Sequence, residues 1–229
     1  MHVEALWRYP VKSLGGERIT AAELTDDGVA GDRLVHVSGG RAPLTGRTRH
    51  GLLTIPASTG PDGTPLVAGH RWDGPEAGAL VEPFGGRLAR YPGPERFDVL
   101  NLLVATDGAV RAWGSDVRRL RPNLLIGGVD PDAERDWPGH ALLVGDAVIG
   151  VFSLRARCVV TSIDPDSGER HPDVFRRIRT DFGGRLALNC WVVRPGRVRE
   201  GDTAELVPTD ELPDHVGGWI TGAPYALPG

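Results

Sequence analysis

Apolar and polar positions alternate in short bursts along this chain, beginning with His2-Val3-Glu4-Ala5-Leu6-Trp7. A period of two predicts strands, because successive side chains leave a strand on opposite faces. Residues 2–9, 18–25, 33–38, 65–69, 86–91, 102–106, 141–150, 154–163, 186–193 and 202–208 read this way. Gly145-Asp146 has the form of a two-residue hairpin turn between two apolar arms. Pro122 extends the chain just before the apolar run Leu124-Leu125-Ile126. A helical period is confined to residues 108–118 and, for a turn or two, 171–179. The pattern predicts a mainly β fold, β-barrel-like, with few short helices and two packed β units. Tyr91-Pro92-Gly93-Pro94-Glu95 separates the units, giving an N-terminal β domain over 1–92, a second over 98–209 and an irregular tail over 210–229.

Composition refines this picture. The 229 residues suffice for a buried core, and the 32 glycines and 19 prolines punctuate short elements. No apolar run approaches a membrane span, and the N-terminus lacks the layout of a signal peptide, so a cytoplasmic protein without membrane partners is expected. The net charge of −4 argues against a nucleic-acid partner. Two cysteines, Cys158 and Cys190, imply no disulfide framework and cannot build a four-thiolate cluster. Of 26 basic residues Lys12 is the only lysine. An ammonium is a compact point charge that a guanidinium fork does not replace.

Candidate chemistry lies in five places. Pro10 stops the first strand, and the following turn presents Lys12 and Ser13. Asp32-Arg33 heads a strand after a glycine turn, with Thr45-Gly46-Arg47 following. Arg118-Arg119-Leu120-Arg121-Pro122-Asn123 places three arginines in four positions, an anion-friendly cluster that also reads as a basic loop. In Arg157-Cys158-Val159-Val160-Thr161, alternation puts Arg157 and Thr161 on one face and Cys158 on the other, ahead of an Asp164-Pro165-Asp166-Ser167-Gly168 turn. Finally, Arg179-Thr180-Asp181 precedes a strand in which Cys190 alternates with Leu188 and Val192, a core-like face, and Asn189 with Ala187 and Trp191. These residues form no nucleophile–base set, zinc spacing, Walker loop or dinucleotide fingerprint. Read alone, they describe an arginine-lined β protein for an anionic ligand.

Tyr9-Pro10-Val11-Lys12-Ser13, Asp32-Arg33, Arg121-Pro122-Asn123, Arg157-Cys158-x-x-Thr161-x-x-Asp164-Pro165-x-x-Gly168 and Pro195-Gly196-Arg197-Val198-Arg199-Glu200-Gly201-Asp202 occur in this order. Together they resemble the molybdenum cofactor sulfurase C-terminal (MOSC) family with its N-terminal β-barrel extension, and within it the amidoxime-reducing components and bacterial reductases of N-hydroxylated bases. The resemblance implies a bound molybdenum cofactor, with Lys12, Ser13, Arg33, Arg121, Asn123, Arg157, Thr161, Arg179 and Asn189 around it. It implies reduction of a small N-hydroxylated substrate with electrons from a separate electron-transfer protein. The alternatives are a non-catalytic cofactor carrier or sulfur-transfer module, and a fold that binds another anionic metabolite. Where the amidoxime reducers place a metal-ligating cysteine, this chain has Thr180-Asp181. The implied substitute is Cys190, with Asp181 as a further catalytic residue; the alternatives are Cys158 as ligand and a metal without a protein thiolate.

Overall fold

The computed structural model describes residues 1–40, 42–91 and 96–208. The residues at the Pro/Gly boundary, 92–95, and the tail from 209 onward lie outside the described residues. Strands dominate in chain order: β1 (His2–Arg8), β2 (Val11–Lys12), β3 (Glu17–Ile19), β4 (Ala21–Thr25), β5 (Gly28–Val29), β6 (Val35–Ser38), β7 (Pro43–Leu44), β8 (Ala57–Thr59), β9 (Pro65–Val67) and β10 (His70–Arg71). Helix α1 (Pro75–Val81) and β11 (Arg87–Arg90) follow, then β12 (Leu102–Thr106), α2 (Asp107–Trp113), β13 (Leu124–Gly127), β14 (His140–Val144), β15 (Ala147–Ala156), α3 (Pro172–Asp181), β16 (Arg185–Arg194), β17 (Gly196–Arg199) and β18 (Ala204–Pro208).

Eight strands form one sheet in the order β18-β14-β15-β16-β12-β13-β1-β3. All neighbours are antiparallel except β12 and β13, which run parallel across the α2 crossover. The sheet does not close into a barrel. A lone bridge between His2 and Thr203 brings its two ends near each other without extending the ladder. Three smaller sheets, β10-β9-β8, β11-β6-β2 and β17-β4-β5, pack around it.

The large sheet is buried on both faces, which explains the unbroken apolar run of β13. Leu124 and Ile126 join Leu6, Leu102, Ile149 and Leu188 in one core. Leu125 faces the other way and joins Trp7, Tyr9, Trp113 and Ile178. A third core, of Val11, Leu14, Val35, Leu52, Val67 and Val81, holds the small sheets of the first β unit together. The first 91 residues are thus not confined to that unit, because β1 and β3 complete the sheet built by β12–β16 and β18.

Three elements differ from the sequence pattern. Helix α2 stops at Trp113 because Gly114 takes a left-handed C-cap (φ 72°), and Asp116 then caps a separate 3₁₀ turn over Val117–Arg119. The strand expected over 154–163 ends at Ala156, and Val159–Ser162 is a 3₁₀ turn closed by Thr161 N–H to Cys158 O and Ile163 N–H to Val160 O. Helix α1 was absent from the pattern, although Gly74 followed by Pro75 is a start signal.

Candidate functional site

Three of the sequence motifs meet at Asp32, a carboxylate buried to 1% exposure. Its Oδ1 accepts the Tyr9 N–H at 2.7 Å. Its Oδ2 accepts from Arg33 Nη1 and, at 3.4 Å, from Asn123 Nδ2. Asn123 Oδ1 in turn accepts the Leu103 N–H at 3.2 Å, so this buried amide fastens β1 to β12. The Arg121 guanidinium lies 4.3 Å and that of Arg33 5.2 Å from the Tyr9 ring centre. An arginine placed over an aromatic face gains electrostatic attraction without a counter-ion.

This frame forms one wall of a pocket lined by Lys12, Ser13, Arg33, Arg121, Asn123, Arg157 and Asn189 from the expected set, together with Cys158. Arg47, Arg155 and Asp98 also line it. The cavity measures about 130 Å³. Past Leu53, Arg121 and Val160 it meets a second cleft of about 570 Å³, walled by Trp7, Tyr9, Pro56, Val117 and Arg119.

Five non-glycine residues among those described have positive φ, and three of them, Ser13 (71°), Arg33 (53°) and Arg121 (57°), line the first pocket. A left-handed conformation costs an L-residue about 1–2 kcal/mol. Backbone held in such states gathers where a side chain must be aimed.

The electrostatics point the same way. Burial pulls Arg121 and Arg157 each down to about 10, with other arginines adding to the effect. Lys12 is lowered by burial, which outweighs the upward pull of Asp98. Arg157 donates to Leu120 O at 2.7 Å, but its buried Nε has no partner. Asn189 steadies the wall, donating to Ser153 Oγ at 3.1 Å and accepting from Arg155 Nη1 at 3.2 Å.

Four expected residues do not reach this pocket. Cys190 is fully buried in the core between Leu188 and Val192, and burial raises its thiol well above the usual range. It is a small apolar core residue, not an exposed thiolate. Asp181 sits exposed at the end of α3, paired with Arg177 at 3.3 Å and accepting from the Thr180 hydroxyl. Arg179 lines a separate surface cleft with Ser162, Arg170 and Thr180. Thr161 is buried, and its hydroxyl donates to Cys158 O at 2.9 Å. With the 3₁₀ turn in place of a strand, the face-sharing of Arg157 and Thr161 is lost. The half-buried Cys158 is the thiol at the pocket wall.

Arg155 and Asp98 escaped the sequence reading. Arg155 stands two residues before Arg157, an alternation that would have revealed it. Asp98, beside the Pro/Gly boundary, gave no signal.

Two family models match the chain in order: the MOSC N-terminal beta barrel domain over residues 1–64 and the MOSC domain over 102–205. The molybdenum cofactor sulfurase of Bombyx mori is 31% identical over 88 residues, covering 38% of this chain and 10% of that protein. The mitochondrial amidoxime-reducing component 1 of Homo sapiens is 42% identical over 48 residues, 21% of this chain and 14% of that protein. The matched stretches therefore span a small part of these relatives' own length. The YuaD protein of Bacillus subtilis shares the fold, with a TM-score of 0.51 at 17% identity over 90% of this chain and 94% of its own. The motif residues that converge on Asp32 and line one pocket come from both matched regions, and the chain belongs to the MOSC family.

Proposed function

We propose that the pocket holds a molybdenum cofactor and that the chain reduces N-hydroxylated or otherwise N-oxygenated compounds with electrons from a separate protein. The observation that carries this reading is the charge of the wall. Lys12, Arg33, Arg47, Arg121, Arg155 and Arg157 face a space in which Asp98 is the single carboxylate among the described residues. Desolvated cations in such excess call for a polyanionic ligand. The name of one relative, a molybdenum cofactor sulfurase, supports this ligand class, and that of another, an amidoxime-reducing component, supports the reaction.

The residues present fit such a group. The orphaned Arg157 Nε awaits an acceptor, and a second, larger cleft adjoins the pocket along Leu53, Arg121 and Val160. Lys12, Arg33, Arg121 and Arg157 would hold its anionic and oxidised substituents, and Cys158 would present a thiol to its metal. Among the described residues no three His, Cys, Asp or Glu cluster to hold a bare ion, so the metal would arrive with ligands of its own.

When bound, the cofactor supplies the two-electron chemistry that takes up the oxygen of an N–O bond. The chain binds and orients it, and narrows the space open to water. Two electrons and two protons turn an N-hydroxyl group into N–H and water. Lys12 Nζ holds a proton on the pocket wall, and its burial makes that proton easier to release. Both cysteines are free thiols, and a reducing cytoplasm is the compartment this reading implies. No helix among the described residues is long and apolar enough to cross a membrane.

The test is molybdenum content of protein made in a cofactor-competent host, followed by reduction of an aromatic amidoxime with an artificial donor. Metal and turnover together support the reading; protein without metal under those conditions overturns it. A second reading, cofactor carriage or sulfur transfer, is favoured by the pocket thiol of Cys158 and the similarity to the sulfurase. It predicts retained metal without turnover, and a persulfide on Cys158.

A further inference from the structure

Among the described residues, Asp98 is the one carboxylate on the wall of the cationic pocket. It contacts three cations at once. Lys12 Nζ donates to its Oδ1 at 3.0 Å, while Arg47 Nη2 and Arg155 Nη2 reach its Oδ2 at 3.5 and 3.4 Å. Lys12 and Arg47 belong to the first β unit and Arg155 to β15, so the carboxylate ties the two sides of the pocket together.

The arrangement is a poor match for a carboxylate. Both arginine contacts are stretched beyond the 2.7–3.2 Å usual for N–H···O bonds, and they crowd on one oxygen. One negative charge faces three positive ones. A phosphate group brings close to two charges and three acceptor oxygens, enough to give each cation its own partner.

Asp98 is also more open to solvent than two of its three partners. Its side chain is 47% exposed, against 12% for Lys12 and 16% for Arg155. Its chain segment does not depend on the ion pairs alone, because Lys12 Nζ also donates to Arg96 O at 2.6 Å and the Arg96 guanidinium lies 4.6 Å from the Phe97 ring centre. The carboxylate thus has a side open to solvent, and its backbone has an anchor beyond the ion pairs.

We infer that Asp98 is an internal stand-in for a ligand's phosphate, closing the pocket across Lys12, Arg47 and Arg155 until a dianionic group displaces it. It acts as a specificity-determining residue. A neutral or singly charged ligand does not outcompete a tethered carboxylate, whereas a phosphate monoester does. The small volume of the cavity is then the closed state, and displacing Asp98 opens it. This inference rests on the reading of the pocket as an anion site, and it does not depend on the ligand's being a molybdenum cofactor.

The test uses the full chain, inorganic phosphate at pH 8 and low ionic strength, with acetate as the singly charged control. Affinity is read by calorimetry. Asp98→Asn and Asp98→Ser remove the competitor and are expected to bind phosphate about tenfold more tightly than the native chain. They are also expected to gain measurable acetate binding. Lys12→Gln added to Asp98→Asn should abolish the gain, and Asp132→Asn, the same charge change outside the pocket, should leave phosphate affinity unchanged. Phosphate affinity in both Asp98 variants equal to or below the native value overturns the proposal. So does an equal gain in Asp132→Asn, which would reduce the effect to net charge. A native chain that binds phosphate in this way but never retains molybdenum would sink the cofactor reading and leave the role of Asp98 standing.

Discussion

The guanidinium of Arg121 lies 4.3 Å from the ring centre of Tyr9, joining two motifs that are more than a hundred positions apart. Arg121 carries two liabilities there, a left-handed backbone (φ 57°) and a desolvated charge that the nearby Arg33 opposes. Arg121→Gly relieves both, at the expense of the ring contact. We expect thermal stability to stay level or to rise by up to ~1 kcal/mol, which is about 2–4 °C for a chain of this size. Molybdenum or phosphate retention should fall at least about tenfold, the loss of one charge-assisted contact. A large drop in melting temperature with ligand retained would show Arg121 to be structural.

The two cysteines should behave oppositely. Cys190 is enclosed by apolar side chains, so Cys190→Ser buries a hydroxyl and should cost about 1–3 kcal/mol while leaving metal content per folded molecule unchanged. Cys158→Ser, a near-isosteric change at a half-buried position, should leave stability within about 0.5 kcal/mol of native and should lower metal content or turnover. Iodoacetamide mapping is an independent check: Cys158 should label in the native protein and Cys190 after denaturation.

Glu134 is a buried carboxyl whose Oε1 accepts the Ala187 N–H at 2.8 Å and whose Oε2 accepts the Thr106 hydroxyl at 2.9 Å. It holds Ala187 at φ 67° within β16. Burial raises its pKa above the ordinary glutamate value. Between the unfolded and the raised folded value the native state binds more protons, so stability falls as pH rises through that window. Denaturant titrations from pH 4 upward should therefore show native stability declining relative to Glu134→Gln. Glu134→Ala should cost about 1–3 kcal/mol at pH 4, since two donors lose their acceptor, and less as pH rises through the window. Parallel pH profiles for the native chain and Glu134→Gln would contradict the assignment.

A Cβ at Gly16 would come within 2.4 Å of the Tyr9 ring. Gly16→Ala must push that ring, and the arginines over it, out of place. We expect a loss of about 1–3 kcal/mol from overpacking, together with weaker anion binding. Gly183→Ala, where nothing lies within 4 Å but φ is 60°, separates the two effects: it should lower stability without touching the pocket. Equal anion affinity in all three proteins would detach Gly16 from the site.

Much of the fold was legible because its signals were local. The period-two runs mark β1, β12, β14, β16 and β18, and the Gly145-Asp146 turn joins β14 to β15. The pocket residues Lys12, Arg33 and Arg121 were legible only as ordered motifs, since nothing local says that they converge. What failed was long-range. Burial of Cys190 depends on what packs against β16, although its alternation with Leu188 and Val192 already placed it on a core face. Thr161 went astray because the chain after Ala156 turns instead of continuing as a strand, whereas Arg179, on α3, lines a separate cleft. Asp98 was invisible because its meaning lies in Lys12, Arg47 and Arg155, none of them near it in sequence.

The pairing of β1 with β13 has a consequence for how the protein is made. Leu6 leaves the ribosome early, yet its ladder partner Leu124 emerges only after the whole first β unit and β12 have been synthesised. Until then the apolar residues of β1 have no sheet to join, and the nascent chain carries an unpaired edge that invites association with other chains. Asn189, which steadies the pocket wall, arrives later still. The pocket wall is therefore complete only after β16 has been made, and a truncated product ending before β16 would carry the arginines of the first motifs without a finished wall to face.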